Sequence, residues 1–314
     1  MIREFHHSDA PAVVAFLTTQ FPAEEALLGT RPERFFKIIG RVNRLDTRLI
    51  FALLRLFGKR VFQFLVYEDE GRVAGTTLLT FPAHAVYISM VVTDPTVRRR
   101  GFARALLEQS RTNARRMGRR YLVLDVLSDN APARALYEGK LGYRGLRENT
   151  FLTRENPADL GPERVALPAG IRRFEKRDNA PLLAVARRTV PSEVQEVLPV
   201  PRDLMAGVRT GSRVMGSTSA AWVVDRGDGA EAFVAVTSTP DVDAGHLSDP
   251  IVAETADLAL TRELLRTALA WLGARGHLRV LSSVPRHNRT GRVVLEGEGF
   301  RDALSTWTLY RTVD

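Results

Sequence analysis

Apolar and polar positions change their period several times along this chain, and each change marks an element. Ile2 to Phe5 alternates and reads as a strand. Ser8 or Asp9 is a cap and Pro11 suits a first helical turn, so a helix follows to about Gln20 with Val13, Val14, Phe16 and Leu17 apolar. Between Pro32 and Gly58 the apolar residues run from Phe35 to Phe57 while Arg34, Lys37, Arg41, Arg44, Arg48 and Arg55 fall mostly three or four apart. That spacing predicts a basic amphipathic helix, broken near Gly40 or Asn43, which either packs on a sheet or lies against an anionic membrane surface or a large acceptor. Val61 to Glu68 and Arg72 to Phe81 read as a hairpin around Glu70-Gly71. After a turn at Pro82-Ala83-His84, Val86 to Thr93 is a third strand, followed by Asp94-Pro95, a basic turn, Gly101 and a helix that ends before Gly118. Tyr121 to Leu127 is a buried type of strand, apolar except for Asp125, and Asn130-Ala131-Pro132 opens another helix. Tyr143 to Thr153 is a last strand or hairpin arm.

From Arg154 to Gly170 the chain holds three prolines and two glycines and reads as a linker. Beyond it the first pattern returns. Ile171-Arg172-Arg173-Phe174…Asp178 echoes Ile2-Arg3-Glu4-Phe5…Asp9, and Asn288…Leu295…Gly299-Phe300-Arg301 echoes Asn130…Tyr137…Gly142-Tyr143-Arg144. One repeat of this length means two copies of one domain: residues 1–153, a linker at 154–170, and residues 171–314. A length of 314 residues and a hydrophobic share of 45% are ample for two cores.

Composition narrows the chemistry. The chain has no cysteine, so disulfides, thiolate metal sites and a cysteine nucleophile are excluded. No histidine cluster suggests a metal. The formal charge of +9 favours anionic ligands, acidic proteins, nucleic acid or anionic lipid. No apolar run spans a bilayer and the first residues do not read as a signal peptide, so the expectation is a cytoplasmic protein. The oligomeric state is left open.

The charge is concentrated where the chemistry is. Val91, Val92 and Thr93 lead through Asp94-Pro95 into Arg98, Arg99, Arg100, Gly101, Phe102, Ala103 and Arg104. A helix that opens from a glycine-containing basic turn offers unpaired N–H groups and positive charge to an anion, and Gly101 leaves the backbone approachable. The residues themselves describe a pyrophosphate cradle fed by a strand.

The order Arg98-x-x-Gly101-x-Ala103 resembles the acetyl-CoA-binding motif of the GNAT superfamily of N-acetyltransferases. Asn130-x-x-Ala133-x-x-Leu136-Tyr137…Leu141-Gly142-Tyr143 resembles its second block, with one extra residue (Gly139 or Lys140) behind Tyr137. The resemblance implies an α/β (α+β) fold of two tandem domains, each a mixed, mainly antiparallel twisted sheet flanked by helices. It implies acetyl transfer from acetyl-CoA directly to a primary amine on a small molecule, a protein N-terminus or a lysine, with no metal. Residues 91–93 and 98–104 and the Asn130 side chain would then bind the cofactor. Tyr137 would be the general acid. Asp125 is the leading base, on the expectation that burial in its apolar strand raises its pKa, and Glu148 is an alternative. The second copy has Pro250 to Leu260 where the cradle should be, with neither glycine nor arginine, and Ser283 and Leu295 where Asp125 and Tyr137 stand. It reads as a degenerate GNAT-like domain. Two other functions fit the pattern: a non-catalytic acyl-CoA sensor, and a membrane- or nucleic-acid-associated protein using the helix at 32–58.

Overall fold

A computed structural model describes residues 1–20, 62–82, 84–163, 166–206, 208, 216–227, 229–240 and 242–313. The basic segment 32–58 lies outside the described residues. Among those described, one compact unit holds residues 1–20, 62–147 and 307–313, and a second holds 148–306. This division differs from boundaries at 153 and 171. The end of each half leaves its own unit because its backbone bonds are made in the other. Residues 149–155 pair antiparallel with 279–285, while Val313 N–H donates to the Arg120 carbonyl at 2.8 Å. A repeat in sequence locates such strands but does not name their partners.

Unit 1 contains β1 (Ile2–Glu4), α1 (Ala10–Gln20), β2 (Phe62–Asp69), β3 (Arg72–Thr80), β4 (Ala85–Thr93), α2 (Phe102–Arg116), β5 (Tyr121–Leu127) and α3 (Ala131–Arg134). It also takes the start of β6 (Arg144–Glu155) and the end of β13 (Arg301–Thr312). β1, β2, β3 and β4 pair antiparallel in that order, and β5 joins β4 in parallel. The alternation of each strand sets two faces. Leu65, Leu79, Val86, Ile88, Leu122 and Leu124 pack under Leu106 and Leu107 of α2. Val66 and Val92, with Phe5 and Phe64, pack under Val13 and Phe16 of α1. Burying side chains of this size contributes about 1.5–3 kcal/mol each, before the entropy of ordering is subtracted.

Unit 2 repeats the plan with β7 (Ile171–Arg173), α4 (Asn179–Thr189), α5 (Ser192–Val197), β8 (Thr218–Asp225), β9 (Ala230–Ser238), β10 (Ala244–Leu247) and β11 (Ile251–Val252). α6 (Leu258–Gly273), β12 (Arg279–Pro285) and α7 (Arg289–Gly297) complete it. β7 to β10 are antiparallel and β10 runs parallel to β12, as β4 does to β5. Leu264, Leu265, Ala268, Leu269 and Leu272 of α6 bury against Trp222, Val234, Val236 and Val280.

The repeat extends to a polar clamp. Arg3 donates to both oxygens of Asp9 (2.7 and 2.9 Å) and to Glu68 (2.6 Å). Arg172 donates to both oxygens of Asp178 (2.8 and 2.6 Å) and to Asp225 (2.7 Å). In both units the arginine lies on the first strand, one carboxylate tops the following helix and the other ends the partner strand just past a β-bulge. The bidentate fork fixes where the first helix leaves the sheet.

Burial alone pushes the Asp178 carboxyl up, but the Arg172 guanidinium and the Glu175 amide outweigh it and hold it below the usual carboxylate range. A carboxyl depressed in this way stabilises the fold above its unfolded pKa, about 3.9, and the contribution is lost as the pH falls through the folded value. Arg172→Met leaves Asp178 buried without its cation and should cost about 3 kcal/mol at pH 7. Urea unfolding at pH 7 and at pH 3 checks this: the gap between wild type and variant should shrink at the lower pH.

Candidate functional site

β4 and β5 are paired for only four residues, from Ala85↔Tyr121 to Ile88↔Leu124. A bulge then redirects β4. Its register against β3 shifts between Thr76 and Leu78, and Met90 takes φ +53°, a left-handed conformation that a methionine rarely adopts. The extra residue flips the alternation: Val86 and Ile88 lie on the α2 face, and so does Val91, while Met90 and Val92 lie on the α1 face. Beyond the bulge β4 stays with β3 through Thr76↔Val92 and Gly75↔Thr93, and Asp94 N–H donates to the Ala74 carbonyl at 2.9 Å. A Cβ on Gly75 would sit 3.0 Å from the Val92 carbonyl oxygen, so glycine permits this close approach. Because strand amides alternate, Val92 and Asp94 address β3, and the backbone groups of Val91 and Thr93 address the widening gap beside β5.

The turn after β4 is wound by Asp94, which accepts from the Thr96 N–H (2.8 Å) and hydroxyl (2.7 Å). These bonds hold its carboxyl below the usual range. Arg99 (φ +68°) and Gly101 (φ +86°) bend the chain into α2. Gly101 is the N-cap and supplies no side-chain cap. The first bond of the helix is from Ala105 N–H to the Gly101 carbonyl, so the N–H groups of Phe102, Ala103 and Arg104 precede any intrahelical acceptor. Nothing lies within 4 Å of the space above Gly101 where a Cβ would stand. Arg98, Arg99 and Arg104 are exposed around this opening. Arg100 is exposed too but is bound to Asp69 at 2.8 Å, and the Phe102 ring is buried against Tyr67, with centroids 4.2 Å apart. These two residues therefore offer the site their backbones.

Asn130 caps α3, its Oδ1 accepting from Ala133 N–H at 3.2 Å, which leaves its amide NH₂ as a donor. The extra residue behind Tyr137 is absorbed as a π-helical turn over Ala135–Lys140, closed by Tyr143 N–H on the Tyr137 carbonyl at 3.0 Å. A π-turn is the usual way for a helix to take one inserted residue, and it leaves Tyr137 on the core side. The Tyr137 ring is buried on the α2 face among Ile88, Leu124 and Val126, and its hydroxyl has no partner among the described residues. Desolvation pushes its pKa up to about 12, so it keeps its proton at neutral pH.

Asp125 departs from expectation. Its neighbours Leu124 and Val126 are buried on the α2 face, but Asp125 points the other way and is exposed. An apolar strand buries one face here, and the acid takes the other. Its carboxylate accepts a short bond from the Tyr87 hydroxyl and another from Thr308 Oγ1 at 2.6 Å. Burial and then the Asp125 charge raise the Tyr87 pKa well above the usual tyrosine value, so Tyr87 remains the donor. Tyr137 and Asp125 thus flank the divergence of β4 and β5 from opposite faces of the sheet. Sequence reasoning missed Tyr87 and Thr308. The signal for Tyr87 was a hydroxyl on the strand face opposite Val86 and Ile88.

Unit 2 closes both features. β10 and β12 also part after four pairs, but Asn288, the counterpart of Asn130, is buried and reaches across to Asp249 Oδ1 (2.7 Å) and the Pro250 carbonyl (2.8 Å). The N-terminus of α6 is capped by its own Asp257, which accepts from the N–H groups of Ala259 (2.9 Å) and Leu260 (3.1 Å). Those donors are taken, and a carboxylate stands where an anion would bind. Among the described residues no cluster of His, Cys, Asp and Glu suits a metal ion, and no helix is long and apolar enough to cross a membrane.

Residues 33–143 match the model of the acetyltransferase (GNAT) family. No curated protein matches the sequence. Among solved structures, a GCN5-related N-acetyltransferase from Sphaerobacter thermophilus superposes over 100% of this chain and 95% of its own, with TM-score 0.65 and 14% identity. A tandem GNAT protein from the clavulanic acid biosynthesis pathway covers 81% of this chain and 83% of its own, with TM-score 0.58 and 18% identity. A putative acetyltransferase from Pyrococcus horikoshii covers 99% and 89%, with TM-score 0.58 and 12% identity. At these identities the likeness is one of fold.

The two helix N-termini should answer substitution differently. Asp257→Ala removes a cap and should cost about 1 kcal/mol. Gly101→Ala removes no bond but forces a Cβ into a left-handed conformation, for about 1 kcal/mol as well. Chemical denaturation measures both, and adding pyrophosphate should raise the stability of wild type but not of Gly101→Asp.

Proposed function

We propose that this chain is a GNAT-type acetyltransferase, on the match of residues 33–143 to that family, and that its first unit moves an acetyl group from acetyl-CoA to a primary amine by direct transfer. The observation that carries this reading is the uncapped, glycine-led N-terminus of α2 beside the point where β4 leaves β5. It combines anion donors with a slot lined by unpaired strand edge. Bound there, acetyl-CoA would supply the acyl group as an activated thioester.

The residues divide the work as follows. The N–H groups of Phe102, Ala103 and Arg104 and the opening helix dipole bind phosphate oxygens, with Arg98, Arg99 and Arg104 adding charge at the rim. The Asn130 amide donates to the same ligand. Val91 and Thr93 hold the extended arm by strand-like bonds, and an N–H here stabilises negative charge on the carbonyl oxygen. Tyr137, protonated through the neutral range, donates to the departing sulfur from the α2 face. Asp125 receives the amine from the other face and takes its proton, kept in place by Tyr87 and Thr308. Unit 2, with its helix end capped and its gap bridged by Asn288, serves as scaffold. The wider fold relatives leave the acceptor open between small amines, protein N-termini and lysines.

Calorimetry with CoA and a turnover assay over a panel of primary amines test the reading together. Gly101→Asp should weaken CoA binding at least tenfold, because it puts a carboxylate against the phosphate donors. Tyr137→Phe should lower kcat about 100-fold while CoA affinity moves less than about twofold. CoA binding that ignores Gly101→Asp would sink the site, and CoA bound with no amine acetylated would make the protein a sensor.

A further inference from the structure

We propose that the acceptor carries a carboxylate beside its amine, that Arg147 binds that carboxylate, and hence that the substrate class is a small amino acid. The proposal rests on the acyl-transfer reading above and names its acceptor.

Arg147, at the start of β6, is a cation with no counter-ion among the described residues. Its Nε is shut off from solvent with no acceptor, and the residue has no hydrogen bond or ion pair among the described residues. Elsewhere in this chain Arg3 and Arg172 each grip a carboxylate with two nitrogens. A buried guanidinium N–H left unpaired costs about 1–3 kcal/mol, which a carboxylate ligand would recover.

Its position ties it to the acceptor side. Arg147 acts electrostatically on the Tyr87 hydroxyl, the same hydroxyl that donates to Asp125. Tyr87, Asp125, Thr308 and Arg147 come from β4, β5, β13 and β6, which are consecutive in the sheet. Asp125 and Arg147 are thus two strands apart, about 10 Å at the backbone, and the arginine side chain shortens that span. Among the described residues no hydrogen bond or ion pair joins them: the Asp125 oxygens accept from Tyr87 and Thr308, and each keeps a further lone pair that an ammonium can use. A fixed carboxylate and an unpaired guanidinium along one row complement an ammonium and a carboxylate in one small molecule. A protein N-terminus or a lysine side chain within a chain brings the amine but not the second charge.

The second unit supports the pairing of functions. Matching the parallel pairs Ala85↔Tyr121 and Ala244↔Arg279 puts His246 and Ser283 where Tyr87 and Asp125 stand. Matching Gly142-Tyr143-Arg144 to Gly299-Phe300-Arg301 puts Leu304 in the place of Arg147. The unit with a capped helix has lost both the carboxylate and the guanidinium.

The test uses the full chain saturated with CoA. N-acetyl-L-amino acids and their carboxamides, spanning small, aromatic and acidic side chains, are titrated calorimetrically into wild type, Arg147→Met and Arg147→Lys. Amino acids, their carboxamides and the matching decarboxylated amines are compared as acceptors with acetyl-CoA. For at least one side chain, wild type should favour the free carboxylate by about 30-fold or more in binding and in kcat/KM. Arg147→Met should abolish the preference, chiefly through KM, and Arg147→Lys should retain part of it, with thermal midpoints confirming that both variants fold. Acids and amides binding alike in wild type, or a preference that survives in Arg147→Met, overturns the proposal; so does the absence of any binding. If acids bind selectively through Arg147 yet no amine is acetylated, the carboxylate site stands and the transferase reading falls.

Discussion

Everything that matters in unit 1 depends on one residue too many in β4. A parallel strand pair normally continues until its side chains or its turns stop it. Here the bulge at Met90 stops it after four pairs, at the cost of a left-handed methionine. Such a conformation costs about 1–3 kcal/mol and persists only where the surroundings enforce it. The enforcement is visible: β4 is held by β3 on both sides of the bulge, Gly75 lets the strands close up, and Val92 is buried under α1. The strain does three things together. It opens a gap beside β5, turns the backbone of Val91 and Thr93 toward that gap, and delivers the chain into α2 with the helix end facing the same opening.

The two units share an architecture but not the side chains placed on it. Both keep the arginine clamp, the antiparallel order and the four-pair parallel contact. They differ at the helix end, at the gap and on the strand beside it. Asp257 fills the helix end that Gly101 leaves bare, Asn288 bridges the gap that Asn130 borders, and Ser283 replaces Asp125. A capping carboxylate contributes about 1 kcal/mol to its helix, so the N-terminus of α6 carries a stabilisation that the N-terminus of α2 lacks.

Much of the fold was legible because its signals are local. The strands at 2–4, 62–69, 72–80, 85–93 and 121–127 follow from alternation, and the helix after Gly101 follows from its turn and its apolar spacing. The inserted residue behind Tyr137 was visible as a spacing, and its outcome, a π-turn, is the one local structure that accepts it. Two things were illegible for a common reason. The exchange of the strand ends and the environment of Asp125 are both decided by partners far along the chain: Thr308 lies 183 residues from Asp125. An apolar strand says that one face is buried; it does not say whether its single acid is on that face. Arg147 carried no motif, and its interest arises only from the partner it lacks.

The exchange also constrains what the second half is for. Residues 307–313 complete unit 1: Leu309 enters its core, Tyr310 packs edge-on to Tyr121, and Thr308 fixes Asp125. Without them β5 becomes a sheet edge with open backbone groups, a surface that proteins avoid exposing. The Asp125 carboxylate would then be held by Tyr87 alone. The chain must therefore run through the whole second half before the strand that covers β5 arrives, and unit 1 is completed only by the last residues of the chain.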